Sequence, residues 1–256
     1  MTYNQLIEKI ASGKVPDLGD VLGNAFELFK KAWLQGFLYV ILSVVLVLPA
    51  IFIMYIPMVG VAVSESQGMD PFEQFGEMAW LPLLPFFLLF FIVILLAQAI
   101  VMALQAGLYR SFEILERGEE VKPGVLFMFL KGRYIGKTFV LALYAIGIAL
   151  LATALCVLPV IYVSVPIYFF GVIFAFNPEL RAIEVVRAAF KLGNKTWFVS
   201  FVLIILSSLL AQFVGVLACG IGLLFTAAFV YMTIYHIYKD TTEEGYADGV
   251  PEVIQE

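Results

Sequence analysis

The sequence predicts an all-α polytopic membrane protein: six transmembrane helices arranged as three parallel hairpin repeats, each preceded by an interfacial amphipathic helix. Three observations predict it. The 256 residues are 62% hydrophobic and 14% charged, with a mean hydropathy of +1.00, more apolar surface than a soluble domain of this length can bury. All 15 Lys and Arg residues fall on one side of a six-span layout. One phrase is written twice without a gap, as "AFELFKKAWLQGFLYVILS" from Ala25 and "AFKLGNKTWFVSFVLIILS" from Ala189.

The spans follow from stretches free of Asp, Glu, Lys and Arg, because about 20 largely apolar residues are needed to cross roughly 30 Å of hydrocarbon. Ala32 to Ser64 and Met78 to Tyr109 are each long enough for one tilted helix, and the acidic "ESQGMDPFEQFGE" between them belongs in water. Thr138 to Pro178 and Thr196 to Tyr238 are twice the required length, so each reads as a helical hairpin. Their turns are placed at Cys156 to Pro159 and at Gly215 to Gly222, which contains "CGIG". Residues 1–239 thus form the six-helix domain. Residues 240–256 read as an acidic, disordered cytoplasmic tail that could dock a partner through Val250 to Ile254. The first 31 residues mix acids and bases without a short apolar core, so they do not read as a signal peptide.

Orientation follows from the bases. They occupy the N-terminal segment (Lys9, Lys14, Lys30, Lys31), the loop after helix 2 (Arg110 to Lys137), the loop after helix 4 (Arg181 to Lys195) and the tail (Lys239). The other side carries Glu65, Asp70, Glu73 and Glu77 and no base. The positive-inside rule then places both termini in the cytoplasm. Lys31, Trp33, Trp80, Lys195 and Trp197 stand at predicted span ends as interfacial anchors.

Each copy of the phrase ends an amphipathic stretch. Near the N-terminus Asp17 is the expected cap, with Leu18, Val21, Leu22, Ala25 and Leu28 as the apolar stripe. In the second copy Asn177 is the expected N-cap, with Pro178 at the first helical position, Glu179 in the first turn, and Gly193 or Asn194 ending the helix. "KPGVLFMFLKGRYIGKTF", with Lys137 and Thr138 standing for Lys195 and Thr196, is a weaker third copy. The phrase therefore marks the entry into each hairpin.

The stretch Val157 to Trp197 places Pro159, Pro166, Ala182, Ala188, Ala189 and Trp197 in a distinctive order: a proline in the outer turn, a second in the following helix, then an alanine-rich amphipathic helix ending before a tryptophan. In this it resembles the YciC-like family of uncharacterised bacterial six-helix inner-membrane proteins. The resemblance covers about 40 residues and implies an integral inner-membrane protein with no assigned chemistry.

Signals for chemistry are sparse. No span contains Asp, Glu, Lys or Arg, which counts against ion-coupled transport, since such residues are costly in hydrocarbon and are kept for function. There is no Walker loop, dinucleotide fingerprint, nucleophile elbow or HExxH. His236 is the single histidine and reads as an interfacial side chain. Cys156 and Cys219 fall at outer turns, either as packing thiols or as a pair. Gln98, Gln105 and Gln212 read either as interhelical hydrogen-bonding groups or as the lining of a ligand crevice. Pro49, Pro57, Pro82, Pro85, Pro159 and Pro166 lie toward the outer halves of helices 1 to 4, as simple bends or as the frame of an outward hollow. The expectation is a non-enzymatic subunit or organiser of a membrane complex, in contact with the bilayer and with a membrane-protein partner or further copies of itself. The alternative is a transporter or lipid-handling protein with a crevice between proline-kinked helices. No catalytic residue, metal, cofactor or nucleic-acid partner is implied.

Overall fold

The structure, a computed structural model, describes residues 1–68, 81–155 and 157–242. These are mostly helical, with no strand among them: α1 (Tyr3–Ser12), α2 (Leu18–Ser66), α3 (Leu84–Glu116), α4 (Gly132–Leu155), α5 (Val157–Phe176), α6 (Ala182–Leu217), α7 (Leu223–Thr226) and α8 (Phe229–Thr242). Short 3₁₀ segments stand at Leu81–Leu83 and Val125–Leu130. Among the described residues five helices are long and apolar enough to cross a membrane: α2, α3 with its 3₁₀ lead-in, α4, α5 and α6. The region expected to supply a sixth is divided into α7 and α8, with a turn at Ala227 and Ala228. Here Thr226 turns its hydroxyl back to the carbonyls of Ala211 (2.7 Å) and Gly222 (3.1 Å). Gly36 of α2 passes so close that a Cβ there would lie 2.7 Å from the Ala228 Cβ.

The amphipathic stretches are not separate interfacial helices. They run without interruption into α2 and α6, which at about 1.5 Å per residue are roughly 74 Å and 54 Å long, well beyond about 30 Å of hydrocarbon. Asp17 caps α2 as expected, accepting from the amides of Gly19 (2.7 Å) and Asp20 (3.3 Å). Gly193 does not end a helix. It lets α6 approach α5, since a Cβ there would lie 2.9 Å from Pro166 Cγ, and a helical glycine costs only about 1 kcal/mol against alanine.

Asn177 is not an N-cap either. It is buried, and its amide donates to the Ile173 carbonyl (3.2 Å) and the Tyr238 hydroxyl (3.0 Å). Helix α6 starts later, at Ala182, where Glu184 accepts from the Arg181 backbone amide at 2.9 Å. In the weaker third stretch, Val125–Leu130 forms a 3₁₀ turn that buries Val125, Leu126, Met128 and Phe129.

The two long helices bury the same register. Val21, Ala25, Leu28, Ala32, Gly36 and Tyr39 are buried on α2, and 164 positions later Val185, Ala189, Leu192, Thr196, Ser200 and Leu203 are buried on α6. On α4 the buried Tyr134, Thr138 and Ala142 match Leu28, Ala32 and Gly36 in order and spacing. A small residue every fourth position at the crossing (Ala32/Gly36, Thr138/Ala142, Thr196/Ser200) allows close helix approach.

Helices α3, α5 and α8 touch one another at the centre. Helices α2, α4 and α6 lie outside: α4 leans on both α3 and α5, α6 on both α5 and α8, and α2 on α3, α7 and α8. Packing is tight at the end bearing the bases, where Leu104, Leu108, Tyr109, Phe112, Phe169 and Phe174 are fully buried. At the opposite end α2 is exposed almost all round from Ile51 to Val63, and much of α3 from Leu84 to Leu96 is exposed as well.

Candidate functional site

The polar groups of the bundle gather on its central helices. Gln105 of α3 donates to the Tyr109 hydroxyl at 3.4 Å and packs against Gly171 of α5, where a Cβ would lie 2.8 Å from the amide oxygen. Tyr109 meets Tyr231 of α8 edge-on at 6.4 Å, and Tyr231 meets Tyr39 of α2 at 5.3 Å. This closed patch of hydroxyls and one amide ties α2, α3, α5 and α8 together inside an apolar bundle. The sequence reading missed its tyrosines, because a tyrosine in an apolar run has no spacing signal that separates it from its neighbours.

The basic end is built from ion pairs. Glu113, 8% exposed in its side chain, bridges Arg110 at 2.8 Å and Arg117 at 2.6 Å. Arg110 also donates from Nε to the Ala175 carbonyl at 3.0 Å and covers the Phe176 ring at 4.7 Å, so one side chain closes the C-terminus of α5. Glu116 accepts from the Tyr235 hydroxyl and from Lys239 Nζ, both at 2.7 Å. His236 is buried, with Nε2 3.7 Å from the Glu116 carboxylate. The apolar surround that buries it comes from α2, α3 and α8 converging, which no local pattern announces.

Asp240 lies within α8, which extends through the buried Thr241 and Thr242, three residues into the expected tail. Burial raises the Asp240 carboxyl above its ordinary range, opposed by Lys239 and reinforced by Glu116 and Asp20. Residues 243–256, the rest of that tail, lie outside the described residues.

The anchors take several roles. Lys195 reaches the C-terminus of α1, donating to the carbonyls of Ile10 (2.6 Å), Ala11 (3.0 Å) and Gly13. Lys137, its counterpart on α4, donates to the Pro178 carbonyl just beyond α5. Lys31 is exposed and lines a cavity of about 210 Å³ with Asn24, Glu27, Glu116 and Lys239. Trp33 is exposed, 6.0 Å from Phe225. Trp197 donates from Nε1 to the Tyr162 carbonyl at 3.2 Å and stacks on Phe201 at 5.0 Å. Trp80 lies outside the described residues, as does Cys156; Cys219 is exposed in a left-handed turn with φ 56°.

Two apolar crevices open beyond the tightly packed basic end, one toward the opposite end and one nearer mid-bundle. One, of about 360 Å³, lies between Ile53, Pro57 and Val61 of α2 and Phe86, Phe87 and Phe90 of α3. The helix runs through Pro49 and Pro57 unbroken, but Pro57 cannot donate to the Ile53 carbonyl. The second, of about 400 Å³, lies between Phe91, Ile92 and Leu95 of α3 and Leu143, Ile146 and Leu150 of α4, and Gln98 is its one polar lining residue.

The three glutamines are therefore not one site: Gln98 is exposed in this crevice, Gln105 is in the closed core, and Gln212 is exposed on α6. Among the described residues no group of three or more His, Cys, Asp or Glu is placed to hold a metal ion. The length and apolar composition of these helices are those of a membrane-embedded protein. Comparison of the chain with protein-family models, with curated proteins and with solved structures gave no match.

Proposed function

We propose that this chain is a non-enzymatic integral membrane protein that acts by association within the bilayer, as a subunit or organiser of a membrane complex. One observation carries the reading. The bundle is closed by a polar core and ion pairs at its basic end, yet at the other end α2 presents apolar side chains on nearly every side from Ile51 to Val63. A helix that belonged only to its own bundle would expose one lipid-facing stripe and bury the other. Here the narrow seam Ile53, Pro57 and Val61 is the half-buried part, so the remaining circumference is available to other membrane helices.

With this reading go six crossings, the sixth formed by α7 and α8, and three parallel repeats around the central helices. The matching burial of α2 and α6 at a spacing of 164 residues supports the repeat. Both termini are assigned to the cytoplasm of a bacterial inner membrane on the one-sided distribution of Lys and Arg. YciC-like membership rests on the Pro159 to Trp197 pattern.

The test is purification of the full chain from membranes in a mild detergent, scored for stoichiometric protein partners and for retained lipid. A partner or self-association at fixed stoichiometry supports the reading. A monodisperse monomer without protein partners refutes it.

A second reading, a lipid-handling protein, is favoured by the crevice at Pro57. Its volume of about 360 Å³ falls in the range of about 300 to 1,000 Å³ typical of ligand sites, and its lining would suit an acyl chain. A phospholipid retained at one per chain, and lost in Phe87→Trp, would favour it.

A further inference from the structure

We infer that the crevice between α3 and α4 is a self-association surface, in which Gln98 of one copy hydrogen-bonds to Gln98 of a second. The inference rests on the proposed role by association and names the partner. Gln98 is twelve residues from Arg110, about 18 Å along the helix at roughly 1.5 Å per residue, which sets it near the middle of about 30 Å of hydrocarbon. It is exposed there, lines the crevice among Phe91, Leu95, Leu143 and Leu150, and bonds to no other side chain among the described residues. An unpaired amide costs several kcal/mol in a medium without hydrogen-bonding groups, and phospholipid offers only methylenes at that depth. The required partner is therefore protein.

A carboxamide both donates and accepts. Two glutamines related by a two-fold axis can satisfy each other through a pair of N–H···O bonds, with no second kind of residue needed. The surroundings permit the approach. The crevice leaves about 400 Å³ for side chains of the second copy. Gly147, between Leu143 and Leu150 on α4, leaves open space where a side chain would project. Gln105, seven residues along, shows the contrast, since its amide is taken by Tyr109 and covered by α5.

The experiment is energy transfer between donor- and acceptor-labelled copies of the full chain in vesicles of phosphatidylethanolamine and phosphatidylglycerol, titrated by protein-to-lipid ratio. Labels are placed on a cysteine added after Glu256, with Cys156 and Cys219 replaced by serine. Wild type is expected to associate saturably. Gln98→Leu is expected to weaken association about tenfold or more, because each interhelical amide bond contributes about 0.6 to 2 kcal/mol and two are lost. Gly147→Leu, whose Cβ meets nothing within 4 Å in the single copy, is expected to weaken it comparably without lowering thermal stability.

Association insensitive to both substitutions would overturn the inference by placing the contact elsewhere. Wild type that stays monomeric at every ratio would overturn it as well, and with a retained lipid would assign the crevice to that lipid. A different protein copurifying at fixed stoichiometry with such a monomer would leave the broader role standing while this inference fell.

Discussion

Replacing Lys195 with methionine tests how the N-terminal helix is held. Helix α1 has ten residues, too few to persist alone in water. It is fastened by the buried Leu6 and Ile10, by the Thr2/Gln5 capping box at its start, and by the Lys195 ammonium on the carbonyls of Ile10, Ala11 and Gly13 at its end. Hydrogen bonds to a charged group contribute about 1.5 to 3 kcal/mol each in favourable cases. Here one half-exposed ammonium is shared among three acceptors, so a net of about 2 kcal/mol is the working figure. Methionine keeps the apolar stem and removes the charge. Because α1 packs on α6 and α8 from one side, the loss falls on local opening of α1 and leaves global unfolding nearly unchanged. At about 1.4 kcal/mol per tenfold, amide exchange across residues 3–12 should accelerate roughly 30-fold in nanodiscs. Residues 104–112 of α3 should exchange as in wild type. Lys195→Arg should retain most of the protection. Unchanged exchange in α1 for Lys195→Met would refute the reasoning, showing that the apolar stripe alone holds the helix.

Lys122→Cys and Arg187→Cys, both at exposed positions, should stay unlabelled by a membrane-impermeant maleimide in intact cells and react after permeabilisation; labelling from outside would overturn the orientation. Glu113→Gln leaves Arg110 and Arg117 without their shared carboxylate in a poorly hydrated site, so a loss of about 3 kcal/mol is expected, read as a lowered unfolding midpoint in detergent. Gly107→Ala drives a Cβ into the Leu126 backbone and should displace the Val125–Leu130 turn and destabilise the fold, whereas Gly60→Ala, with nothing within 4 Å, should be silent or mildly stabilising. The raised Asp240 carboxyl binds its proton more readily in the folded state, so its contribution is largest at low pH and declines as pH rises through its ordinary value toward the folded one. Asp240→Asn should remove that part of the decline; an unaltered pH–stability profile would count against it.

The long helices were legible in the sequence because hydrocarbon demands continuous apolar length, and the runs from Ala32, Met78, Thr138 and Thr196 supply it. The Asp17 cap and the turn at Cys219 and Gly220 were legible for a similar reason, since both are local chemistry. The doubled phrase was legible too, but of its matching positions only Ala25/Ala189 and Leu28/Leu192 are buried on both α2 and α6; the rest of the shared register is carried by residues that differ or that precede the phrase. What failed were inferences that took local signals as sufficient. Asn177-Pro178 looks like a helix start and Gly193-Asn194 like a helix stop, but the packing of α5 and α8 takes the first and the contact with Pro166 takes the second.

By itself, the sequence determined that this chain belongs in a membrane, and it fixes where the apolar stretches and the cationic segments lie. Those properties are sums over neighbouring residues, and transfer free energy adds along a chain. Only the tertiary structure decided which polar groups meet. It brought Gln105 to Tyr109 and Gly171, Lys195 to the end of α1 across 182 or more residues, and Glu116 to Tyr235 and Lys239, while leaving Gln98 open in a crevice. Hydrogen bonds and close packing are short-ranged and directional, so they depend on which helices become neighbours, and that is a property of the whole bundle.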